Sequence, residues 1–137
     1  MNIRHLGAAL ATALLFSACS GNPAWKGPDD SQEAGIQLAE QACDCIYEVL
    51  DEQTEVSASG VVEESADWKR ALKGETVDPE KLTEISKLLE MEETLSQKVD
   101  QSSCMDEVDT ELMNKGIAFE ALMDLIDQHC ILGMFYN

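Results

Sequence analysis

The sequence predicts an all-α protein, a small helical bundle of three to four helices braced by two disulfides. Three observations predict it. Beyond residue 30, apolar residues recur at spacings of three and four, which gathers them on one side of an α-helix. No segment alternates apolar and polar residues as a half-buried strand does, and no internal repeat is present. The cysteines Cys43, Cys45, Cys104 and Cys130 form an even set, the first two inside one amphipathic segment and the others bracketing the last.

The first helix is expected from Asp30 or Ser31 to about Val56, with Asp29 and Asp30 at its positively polarised end. At about 100° per residue, Ile36, Leu38, Ala39, Ala42, Cys43, Cys45, Ile46, Val49 and Leu50 share one half of its circumference. Gln37, Glu40, Gln41, Asp44, Tyr47, Glu48, Asp51 and Glu52 share the other. So wide an apolar face suits a helix touching more than one neighbour, which predicts a central position.

Ser57-Ala58-Ser59-Gly60 interrupts the pattern, and a shorter helix carrying Val61, Trp68 and Leu72 follows until Gly74. Asp78 as N-cap and Pro79 at the first helical position open a third helix, with Leu82, Ile85, Leu88, Leu89, Leu95 and Val99 as its buried side. Glu92 falls on that same face, and an unpaired buried carboxylate is costly, so it is expected at the rim. Ser103 and Asp106 have capping-box spacing for a last helix through Met105, Val108, Leu112, Phe119, Met123, Ile126 and Cys130. Gly116 is positioned to bend or split it and Gly133 to cap its end.

Residues two apart on a helix point about 160° apart, so Cys43 and Cys45 cannot bond each other without unwinding it. One is expected to pair with Cys104 and the other with Cys130; spacing does not decide which. Closing loops of roughly 60 and 85 residues stabilises by about 4 kcal/mol each in the chain-entropy account, a large share of a small domain's net stability. The same residues admit a second chemistry: Cys43, Cys45 and Cys130 with His129 supply soft ligands for zinc or copper, or a thiol redox pair. They lack the paired C-x-x-C spacing of zinc sites.

The start of the chain has a different composition. Met1-Asn2-Ile3-Arg4-His5 precedes an uncharged run from Leu6 to Phe16, and small residues then lead to Cys19. Eleven apolar residues fall short of the roughly 20 that span a bilayer, and the plan is that of an export signal. Leu15-Phe16-Ser17-Ala18-Cys19 resembles the lipobox of bacterial lipoproteins, with Phe16 where that class usually has Leu. The resemblance covers only the leader. It implies cleavage before Cys19, a diacylglyceryl group on its thiol, often a further acyl chain such as palmitate on its amine, and, with Ser20 next, export to the outer membrane, facing the periplasm, if the cell is Gram-negative, or a place on the outer face of the only membrane if it is Gram-positive. Each buried methylene contributes about 0.8 kcal/mol, so two or three chains anchor stably where one would not.

The expected organisation is therefore signal peptide 1–18, lipid-anchored linker 19–30 and helical domain 31–137. The linker holds Gly21, Pro23, Gly27 and Pro28 and reads as exposed tether, with Trp25 either docked on the domain or at the lipid interface. From Cys19 onward, 119 residues carry eight basic and 27 acidic side chains, a formal charge of −19. A chain of that size buries roughly 65% of its unfolded surface. Its charge argues against nucleic acid or an anionic membrane surface as a partner, since either polyanion repels it before specific contact.

The acidic run Asp106-Glu107-Val108-Asp109-Thr110-Glu111 lacks the glycine and spacing of an EF-hand loop and reads as a solvated helix face. No glycine-rich phosphate loop, G-x-S-x-G or H-E-x-x-H occurs, and His129 alone remains after the leader. The expected function is accordingly non-enzymatic, with no cofactor, metal or small-molecule substrate. It is that of an envelope lipoprotein whose acidic helical module meets a protein partner, basic in character, in the manner of an inhibitor, an immunity protein or a structural accessory. The alternative is a periplasmic metal-binding or thiol redox protein using Cys43, Cys45, Cys130 and His129.

Overall fold

In the computed structural model, which describes residues 22–27 and 33–136, the chain is all-α. Among the described residues six helices follow one another: α1 (Ala34–Gln53), α2 (Ala58–Leu72), α3 (Thr83–Glu90), α4 (Glu92–Asp100), α5 (Ser103–Lys115) and α6 (Phe119–His129). Short 3-10 turns cover Pro79–Leu82 and Ile131–Phe135. Three to four helices were expected; two of those are each divided in the structure. None is long and apolar enough to cross a membrane among the described residues.

Helix α1 is central, packing against α2, α4, α5 and α6. Its expected apolar half is the buried one: Leu38, Ala39, Ala42, Cys43, Cys45, Ile46, Val49 and Leu50 are all under a tenth exposed, while Ile36 is half-buried. The expected start near Asp30 or Ser31 lies outside the described residues. The helix ends at Gln53 rather than Val56 because the Thr54 hydroxyl donates to the Leu50 carbonyl and accepts from the Val56 N–H at 3.1 Å. That turn carries Val56 into the core.

Ser57-Ala58-Ser59-Gly60 starts α2 rather than merely separating helices. Ser57 is its N-cap, accepting from the Gly60 N–H at 3.1 Å. Its far end closes with two bonds: Gly74 N–H donates to the Ala71 carbonyl and Glu75 N–H to that of Arg70. This Schellman closure needs the left-handed backbone that Gly74 adopts at φ +88°. Val61 is buried and Trp68 half-buried, but Leu72 is 63% exposed.

Asp78 caps the next segment through Glu80 N–H at 3.0 Å, with Pro79 in its first turn. That turn is 3-10, and the expected third helix then breaks again at Met91, whose backbone (φ −119°, ψ 22°) is not helical. The break lets α3 pack on α2 while α4 turns to pack on α1 and α5. Ile85, Leu88, Leu95 and Val99 are buried, Leu82 is half-buried and Leu89 is exposed, because the two halves present different faces. The break also places Glu92, which is exposed, in the positively polarised first turn of α4.

Two carboxylates not singled out by their spacing tie α2 to α3. Glu64 accepts from the N–H groups of Glu84 (3.2 Å) and Ile85 (2.9 Å) in the first turn of α3. Glu84 in return accepts from the Ser57 N–H at the start of α2, at 3.2 Å. Each helix thus supplies a negative charge and an acceptor to the other's N-terminal donors.

The N-cap of α5 is Ser102, accepting from the Met105 N–H at 3.3 Å, one residue before the expected Ser103. Gly116 (φ +66°) ends α5 with the same closure as α2: its N–H meets the Met113 carbonyl and that of Ile117 the Leu112 carbonyl. The expected last helix is therefore split. Leu122 and Ile126 carry the buried side of α6, Met123 is half-buried, and Phe119, at its first turn, is 58% exposed. Gly133 does not cap α6. It is buried in the following 3-10 turn, where a Cβ would lie 2.6 Å from the Ile126 carbonyl oxygen.

Candidate functional site

The densest chemistry gathers where α1, the ends of α5 and α6, and the segment 22–27 meet. Cys43 and Cys45 diverge around α1 and each finds a separate partner. Cys43 is bonded to Cys130, just past α6, with Cα atoms 5.8 Å apart. Cys45 is bonded to Cys104, in the first turn of α5, with Cα atoms 5.7 Å apart. The pairing left open by spacing follows from packing: α5 begins beside one flank of α1, and α6 ends beside the other. The bridges enclose 59 and 87 positions of chain.

Ser102 closes over the Cys45–Cys104 bridge. Its buried hydroxyl donates to the Val99 carbonyl at 2.5 Å and lies 3.3 Å and 3.4 Å from the two sulfurs. On the other side, Cys130 is extended (φ −109°, ψ 121°) and forms an isolated antiparallel bridge with Trp25. Lys26 N–H donates to the His129 carbonyl at 2.6 Å, and Ile131 N–H to the Ala24 carbonyl at 2.8 Å.

The segment 22–27, expected as exposed tether, is therefore docked over its described length. Ala24 is fully buried, and the Trp25 ring lies 5.6 Å from that of His129, tilted by 52°. The Asn22 side chain fixes the start of this segment. Its amide donates to the Asp44 carboxylate at 2.8 Å and approaches the Cys43 sulfur at 3.7 Å, while its carbonyl oxygen accepts from the Ala24 N–H. Partial desolvation raises the Asp44 pKa above the ordinary carboxylate value, and the Asn22 hydrogen bond works in the opposite sense. Composition marked this segment as linker because Gly and Pro leave no periodicity; its docking uses backbone groups and one amide, which periodicity cannot reveal.

Beside the docked segment lies a shallow depression of about 160 Å³, lined in part by Lys26, Lys69, Asp127, His129 and Met134. It joins the tether to the last turns of α2 and α6.

The ligands of the metal alternative are placed as follows. Cys43 and Cys130 are bonded to each other, Cys45 is bonded to Cys104, and His129 faces Trp25. With all four sulfurs in disulfides, a thiolate site would require reduction first. Among the described residues, no group of three or more His, Cys, Asp or Glu side chains is placed to hold a metal ion. The acidic run falls on the outer side of α5, with Asp106, Glu107 and Asp109 exposed and Val108 buried. Cys19, the expected lipidation site, and the leader before it lie outside the described residues.

A further polar link leaves no mark in the sequence pattern. The phenol of Tyr136 donates to the Asp100 carboxylate at 2.5 Å, clasping the final residues to the end of α4. Burial first, then the bond to and the charge of Asp100, hold its pKa well above the ordinary phenol value. In comparisons with known proteins, no family model, no curated protein and no solved structure matches this chain.

Proposed function

We propose that the protein is a lipid-anchored, non-enzymatic lipoprotein of the cell envelope, whose acidic helical module recognises a protein partner of basic character. The observation that carries the reading is the charge of the folded surface. The chain after the leader has 27 acidic side chains against eight basic ones, and four ion pairs among the described residues engage only Asp67, Glu75, Glu84 and Glu111. All four are at the surface, where such pairs contribute little. The remaining carboxylates on α3, α4 and α5, among them Glu90, Glu92, Glu93, Asp106, Glu107 and Asp109, are exposed. Such a field steers a basic partner and excludes acidic ones. Met113 and Phe119, 81% and 58% exposed on either side of the Gly116 turn, offer apolar anchors of the kind that concentrate binding energy at interfaces.

The lipobox supports the anchoring half of the reading, and Cys19→Ala tests it. The wild-type protein should fractionate with membranes and yield an N-terminal peptide bearing acyl chains on Cys19, and the variant should accumulate as precursor or soluble protein. An unmodified Cys19 in the wild-type peptide contradicts it. Crosslinking in the intact envelope should then capture a basic protein whose yield falls with added salt.

A further inference from the structure

We propose that the face formed by the docked tether and the last turn of α2 rests on anionic phospholipid headgroups, so that the acyl anchor fixes how the domain is oriented as well as where it is. This rests on lipidation of Cys19, as proposed above, and adds a surface to it. Two independent observations carry it: the length of free chain and the distribution of basic residues.

Asn22 is bonded to Asp44, and the next residues are bonded to His129 and Ile131. Whatever path the chain takes from Cys19 to Asn22, three residues reach at most about 10 Å. That is close to the Debye length of about 8 Å at physiological ionic strength. A folded domain of this size is about 30 Å across. Charges beside Asn22 therefore lie within reach of the leaflet's field, and charges on the far side are screened from it.

The basic residues are placed to use that field. Of the eight after Cys19, four occur in the tether or at the end of α2: Lys26, Lys69, Arg70 and Lys73. Arg70 is paired with Asp67 and Glu75. Lys26 and Lys69 line the same depression together with His129, Asp127 and Met134, and Lys73 follows Lys69 by one helical turn. With Asp67 and Glu75 on Arg70, and Asp44 and Asp127 beside Lys26 and Lys69, this face is close to neutral, whereas α3, α4 and α5 carry the crowd of carboxylates. Total charge opposes binding to such a membrane from solution. Once acyl chains hold the domain there, the difference in charge between its faces decides its orientation: an anionic leaflet repels the acidic helices and takes the amines of Lys26, Lys69 and Lys73 against its headgroups. Met134, 38% exposed beside the lysines, adds apolar surface at the same level. The acidic helices then point away from the bilayer, toward a partner.

The test uses the acylated full-length chain purified from membranes and reconstituted into two sets of vesicles, one of phosphatidylethanolamine with phosphatidylglycerol and one of neutral phosphatidylcholine. Each lysine's rate of modification by a membrane-impermeant amine reagent is then measured by peptide mass spectrometry. Headgroup contact shields the amines from the reagent. Lys26, Lys69 and Lys73 should react about fivefold more slowly on the anionic vesicles than on the neutral ones, with Lys81, Lys87, Lys98 and Lys115 unchanged. Protein that floats with both vesicle types yet shows equal ratios for the two groups of lysines overturns this inference and leaves the anchor standing. Failure to float with either overturns both.

Discussion

Tyr136 is a buried residue whose phenol is strongly perturbed. Its hydroxyl meets Asp100, and both burial and that carboxylate favour the protonated phenol. The folded pKa is raised above the unfolded value of about 10, so the stability linked to this proton is fully present below that pH and is lost as pH rises through the folded pKa. In an alkaline titration followed by phenolate absorbance, Tyr136 should stay protonated in the native protein at about pH 11 and ionise only with unfolding, whereas the unfolded chain ionises normally. Tyr136→Phe should remove that delayed component. Phenolate absorbance from Tyr136 before any loss of helical signal would mean the clasp is absent in solution. Nothing in the sequence announces this pair, since its members are 36 positions apart and neither belongs to a periodic pattern.

At the scale of elements, the apolar stripe of α1 and its central place were legible because eight residues at helical spacing leave one way to be buried. Helix ends and breaks were less so. Thr54 and Ser102 set boundaries through local hydrogen bonds and Met91 through its backbone angles, none of which an apolar period records. The expected third helix looked continuous because Leu88 and Leu95 are two turns apart, yet its halves serve different neighbours. Glu92, anomalous in a continuous helix, marked the break. Glycines separate two kinds of constraint. At Gly133 an added methyl collides with the Ile126 backbone, whereas at Gly116 it meets open space but the left-handed backbone is strained. Gly133→Ala should therefore cost about 1–3 kcal/mol by overpacking, and Gly116→Ala about 1 kcal/mol, read as shifts in denaturant midpoint. A loss well below about 1 kcal/mol for Gly133→Ala would show that the last 3-10 turn is not pressed against α6.

For the whole molecule, two disulfides tie the central helix to the beginning of α5 and the end of α6, so the framework holds with few aromatic residues in the core. Each bridge contributes about 4 kcal/mol by loop closure, comparable with the net stability of a small domain, and reduction should lower the melting temperature sharply. The same bridges place the docked tether, since Cys130 joins both α1 and the Trp25 segment. The structural role of these cysteines is the central claim, because the proposed function rests on the acidic surface rather than on a thiolate centre. The most direct measurement is non-reducing peptide mapping of the native, unreduced protein, using a protease that cleaves before aspartate and so separates Cys43 from Cys45 at Asp44. The account predicts the Cys43 peptide joined to that of Cys130 and the Cys45 peptide joined to that of Cys104. Four free thiols with stoichiometric zinc or copper would contradict it.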